Sequence, residues 1–305
     1  MPSLNHTTQA FTMSDKSHRF LIDNTHVRGE LVQLDKAWQA LQATASYPAP
    51  IRKVLGEALA AISLLSTVLK FKGSLILQIN ASAPVHMLVV QATSEKTVRG
   101  LARWNEEIPD NADYKDLFKD GRIIITVEPS DGGERYQSIV ALSGDSLADS
   151  LKSYFEESEQ LQTRLWLASD DEKAAGLLLQ RLPNSDDLLL ESENESWNRT
   201  LALSETISTA ELLTLDADIL LHRLYHEEDL RVFNQEHITF KCQCSQQKVE
   251  HMITSMGTSE AHDIIEKQGS IEIDCEFCNT HYALDRLDVE HLFNDKTIPS
   301  IDTIH

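Results

Sequence analysis

Two rhythms of apolar positions run through this chain. Helical spacing, an apolar residue every three or four positions, links Leu31, Leu34, Trp38 and Leu41 and predicts a helix over 28–41. Pro48 and Pro50 stop it and start another over 51–70, with Val54, Leu55, Leu59, Ile62, Leu65 and Leu69 along its apolar side. Short runs rich in Val, Ile and Leu at 74–80, 84–92 and 97–104 then read as strands, as does a brief run at 20–22. Runs 122–128 and 135–142 flank Pro129-Ser130-Asp131-Gly132-Gly133 and predict a hairpin. Leu147, Leu151 and Phe155 mark a helix over 145–157, and 162–168 and 176–182 are two further strands ended by Pro183. The pattern is that of an α+β domain with a largely antiparallel sheet.

The rhythm weakens after Pro183. Residues 184–198 are acidic and polar, and 197–225 read as short helices with Ser208 and Asp216 at their N-caps. Leu220, Leu221, Leu224 and Tyr225 form a stripe too thin for a core of its own, so this segment needs another surface to pack on. From Val232 onward, Val249, Met252, Ile253 and Met256 read as the core stripe of a helix ended by Gly257. A second helix follows over 259–267, then strands at 271–274 and 281–284, then a helix capped by Asp285 or Asp288. The expected organisation is a disordered tail (1–14), an N-terminal α+β core domain (15–183), a metastable helical linker (184–231) and a small C-terminal domain (232–305).

Composition narrows the function. The chain has 305 residues, a formal net charge of −21 and 41% apolar residues, enough for a substantial core. Nucleic acid and anionic membrane surfaces need a basic footprint, so neither is an expected partner. Residues 1–16 lack the apolar core of a secretory signal, and the apolar stretch 51–71 is broken by Gly56, Glu57, Ser63 and Ser66. A cytoplasmic, reducing location is therefore expected, where structural disulfides are unusual. Neither a glycine-rich phosphate loop nor a nucleophile–base arrangement is visible, so no enzyme is expected.

The chemistry sits in the cysteines. All four lie in two clusters, Cys242-Gln243-Cys244 and Cys275-Glu276-Phe277-Cys278, thirty residues apart. Four thiolates converging in pairs suit one tetrahedral Zn²⁺, so Cys242, Cys244, Cys275 and Cys278 are the expected metal ligands. Neighbours so close can also oxidise to short-range disulfides, strained and easily reduced in the C-x-C case. The same sulfurs cannot do both. Zinc on four thiolates supplies roughly 10–16 kcal/mol coupled to folding, much of what a small C-terminal domain needs.

Other readings stand beside this one. A zinc-ribbon-like binding module would carry the same ligands around a purely structural zinc. A thiol oxidoreductase fits less well, because Glu272, Asp274 and Glu276 are expected to raise the thiol pKa values. His222 and His226 lie four apart on a helix, but without H-E-x-x-H they read as surface or packing residues. His281 is a spare donor beside a complete set of four sulfurs.

Taken together, several motifs resemble those of the redox-regulated heat-shock chaperones, the thirty-three-kilodalton chaperonin family of bacteria. They are Cys242-x-Cys244-Ser245 with Cys275-x-x-Cys278, Arg28-Gly29-Glu30-Leu31-Val32, Arg99-Gly100-x-Ala102-Arg103, Arg135-Tyr136-Gln137, Tyr154-Phe155 with Ser158-Glu159-Gln160-Leu161, Leu177-Leu178-Leu179-Gln180 and Leu224-Tyr225-His226-Glu227-Glu228. The resemblance begins near residue 18 and covers nearly all of the chain. It departs at Gln162, at the lone Gly176 and at Ala81-Ser82-Ala83, where proline and glycines are usual. It implies an ATP-independent holdase for unfolding and oxidatively damaged proteins, inactive when reduced and zinc-bound. Activation would follow disulfide formation, here Cys242–Cys244 and Cys275–Cys278, with zinc loss, linker unfolding and a homodimeric oxidised form.

Overall fold

The computed structural model describes residues 15–183 and 190–294. The expected disordered tail, the start of the linker at 184–189 and the last residues of the chain, 295–305, lie outside the described residues. Two compact units divide between Lys241 and Cys242, later than the Val232 start expected from the sequence.

In chain order the first unit begins β1 (Lys16–Ile22), β2 (Val27–Leu34), α1 (Lys36–Gln42), α2 (Ala49–Val68), β3 (Gly73–Asn80), β4 (Val85–Thr93) and β5 (Thr97–Trp104). It continues with α3 (Tyr114–Leu117), β6 (Arg122–Pro129), β7 (Tyr136–Ala141), α4 (Leu147–Tyr154), β8 (Thr163–Ser169) and β9 (Ala174–Arg181). Three helices follow, α5 (Leu190–Ser204), α6 (Thr209–Thr214) and α7 (Ala217–Tyr225), then the short strands β10 (Leu230–Val232), β11 (Glu236–His237) and β12 (Thr239–Phe240).

The strands form two sheets where the sequence suggested one. The first runs β10-β1-β2-β9-β8, with β11 also on β1; the second runs β12-β5-β4-β3-β6-β7. Pairing is antiparallel except for β12, which lies parallel to β5 through Thr239 and Thr97. Helix α2 packs against strands of both sheets. It is buried nearly all round, as a helix without a polar face must be. Its buried hydroxyls are satisfied within the helix: Ser63 Oγ donates to the Leu59 carbonyl at 2.7 Å and Ser66 Oγ to the Ser63 carbonyl at 2.7 Å.

The first sheet is covered on both faces. Val32, Leu34 and Leu178 belong to the core around α2. Phe20, Ile22, Val27, Leu31, Leu177 and Leu179 pack with Trp197, Leu212, Leu220, Leu224 and Tyr225 of α5, α6 and α7. This double burial corrects the helix expected over 28–41. Val27–Leu34 is a strand, and helix begins only at Lys36. A strand apolar on both faces loses its period of two, and Leu31, Leu34, Trp38 and Leu41 then mimic helical spacing by coincidence.

The second unit contains α8 (Gln246–Met256), α9 (Thr258–Gln268), β13 (Ile271–Asp274), β14 (His281–Leu284) and α10 (Arg286–Asn294). Strands β13 and β14 form a hairpin. Gly269, at φ +87°, closes α9 in the left-handed conformation that glycine adopts without strain. Asp285 and Asp288 cap α10 together: the Asp288 amide donates to Asp285 Oδ1 at 2.9 Å and the Asp285 amide to Asp288 Oδ2 at 3.0 Å.

Val249, Ile253, Ala261, Ile265, Ile271, Leu284 and Val289 make the small core of this unit. Met252 and Met256 do not join it: they are 46% and 42% exposed, against the core role expected of them. A unit this small covers one narrow face of α8, and Val249 and Ile253, four apart, already occupy it.

Candidate metal centre

Each half of the cysteine cluster is set by local backbone. Cys275, Glu276, Phe277 and Cys278 turn at the end of β13. The amides of Cys278 and Asn279 both donate to the Cys275 carbonyl, at 3.2 and 2.7 Å, and the Cys275 amide donates to the Thr280 carbonyl at 2.9 Å. The turn needs a left-handed residue at position 279, φ +56°, and asparagine tolerates it. Cys242 and Cys244 lead into α8, whose N-cap Ser245 accepts from the Lys248 amide at 3.3 Å. The thiols of this half therefore lie next to a helix N-terminus, where negative charge is favoured.

The fold brings all four sulfurs together. They lie within 4.8 Å of one another, with Cys242 and Cys275 at 3.5 Å and Cys244 and Cys278 at 3.4 Å. No disulfide joins them, and each residue is partly buried. Zn–S bonds of about 2.3 Å in a tetrahedron require sulfurs about 3.8 Å apart. The donor set therefore fits a four-sulfur metal site of the zinc type. Among the described residues no other group of three or more histidine, cysteine or acidic side chains could hold an ion.

The thiols differ electrostatically. Burial pushes Cys275 up to about 12 and raises Cys242 as well. Burial also opposes the Cys278 thiolate, but the hydroxyl and backbone of Thr280 and the neighbouring thiols outweigh it and bring Cys278 down to about 6. The rise expected from Glu272, Asp274 and Glu276 does not extend to Cys278, and where thiols do rise the first cause is burial. A hydroxyl at 3.1 Å from Cys278 matters more than exposed carboxylates, which water screens. Hydrogen bonding to Cys244, then burial, pushes Tyr282 up to about 12.

The spare histidines are accounted for. His281 Nδ1 lies 2.8 Å from Asp274 Oδ1 and is not among the converging ligands. His222 and His226 stack on α7 with ring centroids 5.8 Å apart. The sequence reading missed Thr280 and Tyr282; their position beside the C-x-x-C turn was the available signal.

Helices α5, α6 and α7 carry a second set of polar ties. Ser208 and Glu211 form a capping box on α6, whereas Asp216, also expected as a cap, makes no side-chain capping bond. Tyr225 Oη lies 2.6 Å from Ser204 Oγ, and Arg199 pairs with Glu228 through two bonds of 2.6 and 3.0 Å. The Gln33 amide reaches the end of α6. These contacts place several motif residues: Tyr225 and Glu228 in the ties to α5, Gly29 beneath the Phe20 ring, and Arg28 on Gln180 Oε1 at 2.9 Å.

Comparison with known proteins agrees with this picture. The sequence pattern described as Hsp33 protein matches residues 15–285. The 33 kDa chaperonin of Nitrosococcus oceani is 44% identical over 292 residues, covering 95% of this chain and 99% of that one. The 33 kDa chaperonin of Methylobacillus flagellatus is 41% identical over 295 residues, covering 96% and 99%. In fold, the crystal structure of the 33 kDa chaperonin of Thermotoga maritima superposes with a TM-score of 0.78 over 92% of this chain and 98% of that one, at 23% identity. Hsp33 proteins are chaperones, not enzymes. On sequence matched almost from end to end, with the four converging cysteines in place, this chain belongs to the Hsp33 family of chaperones.

Proposed function

We propose that the chain is an ATP-independent holdase switched on by oxidation of Cys242, Cys244, Cys275 and Cys278. The observation that carries the reading is that the only four cysteines converge within 4.8 Å. When bound, zinc would tie α8 and the β13–β14 hairpin together through these four sulfurs. A peroxide takes one thiolate to a sulfenic acid and leaves as hydroxide; the neighbouring thiol then attacks that sulfur, and water departs as the disulfide closes. Two such bonds, Cys242–Cys244 and Cys275–Cys278, reduce two peroxides and use up all four metal donors.

The consequences follow from connectivity and packing. The second unit keeps only its small core. Residues 226–241 run without a break from α7 through β10, β11 and β12 into Cys242, so loosening at the cysteines frees the short strands and then the linker helices. Release of α5, α6 and α7 uncovers Phe20, Ile22, Val27, Leu31, Leu177 and Leu179 on one sheet face. An apolar patch of that kind binds unfolding polypeptides. In this reading residues 15–183 carry the binding core, 184–231 the linker and 232–305 the switch. The oxidised form works as a homodimer in the cytoplasm. No helix of the described residues is long and apolar enough to cross a membrane.

The test is aggregation of a thermally unfolding client, followed by light scattering, with reduced and with peroxide-treated protein. Suppression by the oxidised form alone is expected. Equal suppression in both states would reject redox control, and none in either would reject the holdase reading.

A further inference from the structure

A cleft of about 540 Å³ lies beside α3, the turn into β6 and the end of β7. We propose that it binds a phosphate-bearing small molecule. Lys115, Lys119 and Arg122 line it, with Asp120 as the one acid among its lining residues. The chain as a whole has 27 basic and 48 acidic residues, so a lining drawn at random would favour acids. Here the balance is reversed. Lys115 is neutralised by its pairing with the carboxylate of Asp145, which leaves Lys119 and Arg122 as the cations open to a ligand. Lys119 and Arg122 are exposed and have no ion-pair partner among the described residues.

The overall negative charge does not forbid an anion at this place. At physiological ionic strength charges are screened beyond about 8 Å, so the local cations set the potential inside the cleft. Arginine offers a planar fork and lysine a mobile point charge, a pairing suited to phosphate oxygens. Beneath them Phe118 and Tyr114 are buried, their rings 5.4 Å apart, and supply an apolar floor. The volume falls in the range of small-molecule sites, about 300–1,000 Å³. This site stands apart from the cysteines, and the proposal does not depend on the redox reading.

The experiment is isothermal titration calorimetry of the full reduced chain with inorganic phosphate, pyrophosphate and adenosine monophosphate. The same titrations are run on the Lys119→Glu/Arg122→Glu variant. Both side chains are exposed, and circular dichroism verifies that the variant folds. Binding of at least one probe, weakened at least about tenfold in the variant and by added salt, is expected. The proposal is overturned if none binds up to about 10 mM, or if the variant binds as the parent does.

Discussion

The side-chain amide of Gln33, in β2, donates to the carbonyl oxygen of Leu215, just past the end of α6, at 2.8 Å. It also reaches the Leu212 carbonyl at 3.3 Å. The terminal carbonyls of a helix have no partner within it, so a buried donor from the sheet beneath fixes α6 at its end. Gln33→Leu keeps the approximate size and removes that donor, at a cost of about 1–3 kcal/mol. Hydrogen exchange across 208–225 should quicken in the reduced protein. Client aggregation should be partly suppressed without oxidant. Unchanged exchange would mean that Gln33 does not hold the linker.

Gly29 sits under the ring of Phe20. A Cβ there would lie 2.0 Å from Phe20 Cζ, and the same ring packs on Tyr225 at 5.5 Å. Gly29→Ala forces the ring away, and overpacking of this kind costs about 1–3 kcal/mol. Urea unfolding should show the loss, with the α5–α7 layer giving way first.

Much of the fold was legible in the pattern of the chain. The strands from β3 to β7, the long helix after Pro48 and the knuckle hairpin all stand where spacing and turn residues put them. Failures came where burial departs from a simple amphipathic rule. Strand β2 is covered on both faces and so looked helical, and Met252 and Met256 follow a helical stripe that a tiny core leaves half outside. In the candidate metal centre, the convergence of the four cysteines was legible because cysteines are rare here and come in pairs. The Thr280 hydroxyl and the Gln33 bond were not, since single polar contacts leave no periodic trace.

Glu57 lies in a cleft with Ser146, Trp166 and the Ser208-Thr209 start of α6, and burial pushes it from 4.5 to about 7, partly offset by Lys53. Between pH 4.5 and 7 the folded chain keeps a proton that the unfolded chain has lost. The stability that this proton confers is present below pH 4.5, falls through that window and is gone above pH 7. Glu57→Gln should therefore gain up to about 2–3 kcal/mol over the parent above neutrality and nothing in acid. Thermal melts at pH 4 and pH 8 check the sign.

Cys242→Ser removes one of the four converging sulfurs. Affinity for zinc should fall by orders of magnitude, and the variant should show reduced helicity in α8 and α9 without any oxidant. Chelation of the parent protein should produce the same loss, reversed on adding zinc back. A variant with undiminished affinity would show that Cys242 is not a ligand.

The most direct test of the central claim is bound zinc measured against remaining thiols during stepwise peroxide addition, with hydrogen exchange of residues 190–225 followed alongside. The account predicts one zinc per chain at the start, its loss as the thiols disappear, and release of α5, α6 and α7 in step with it. Complete loss of the four thiols with one zinc still bound and the linker helices still protected would contradict it.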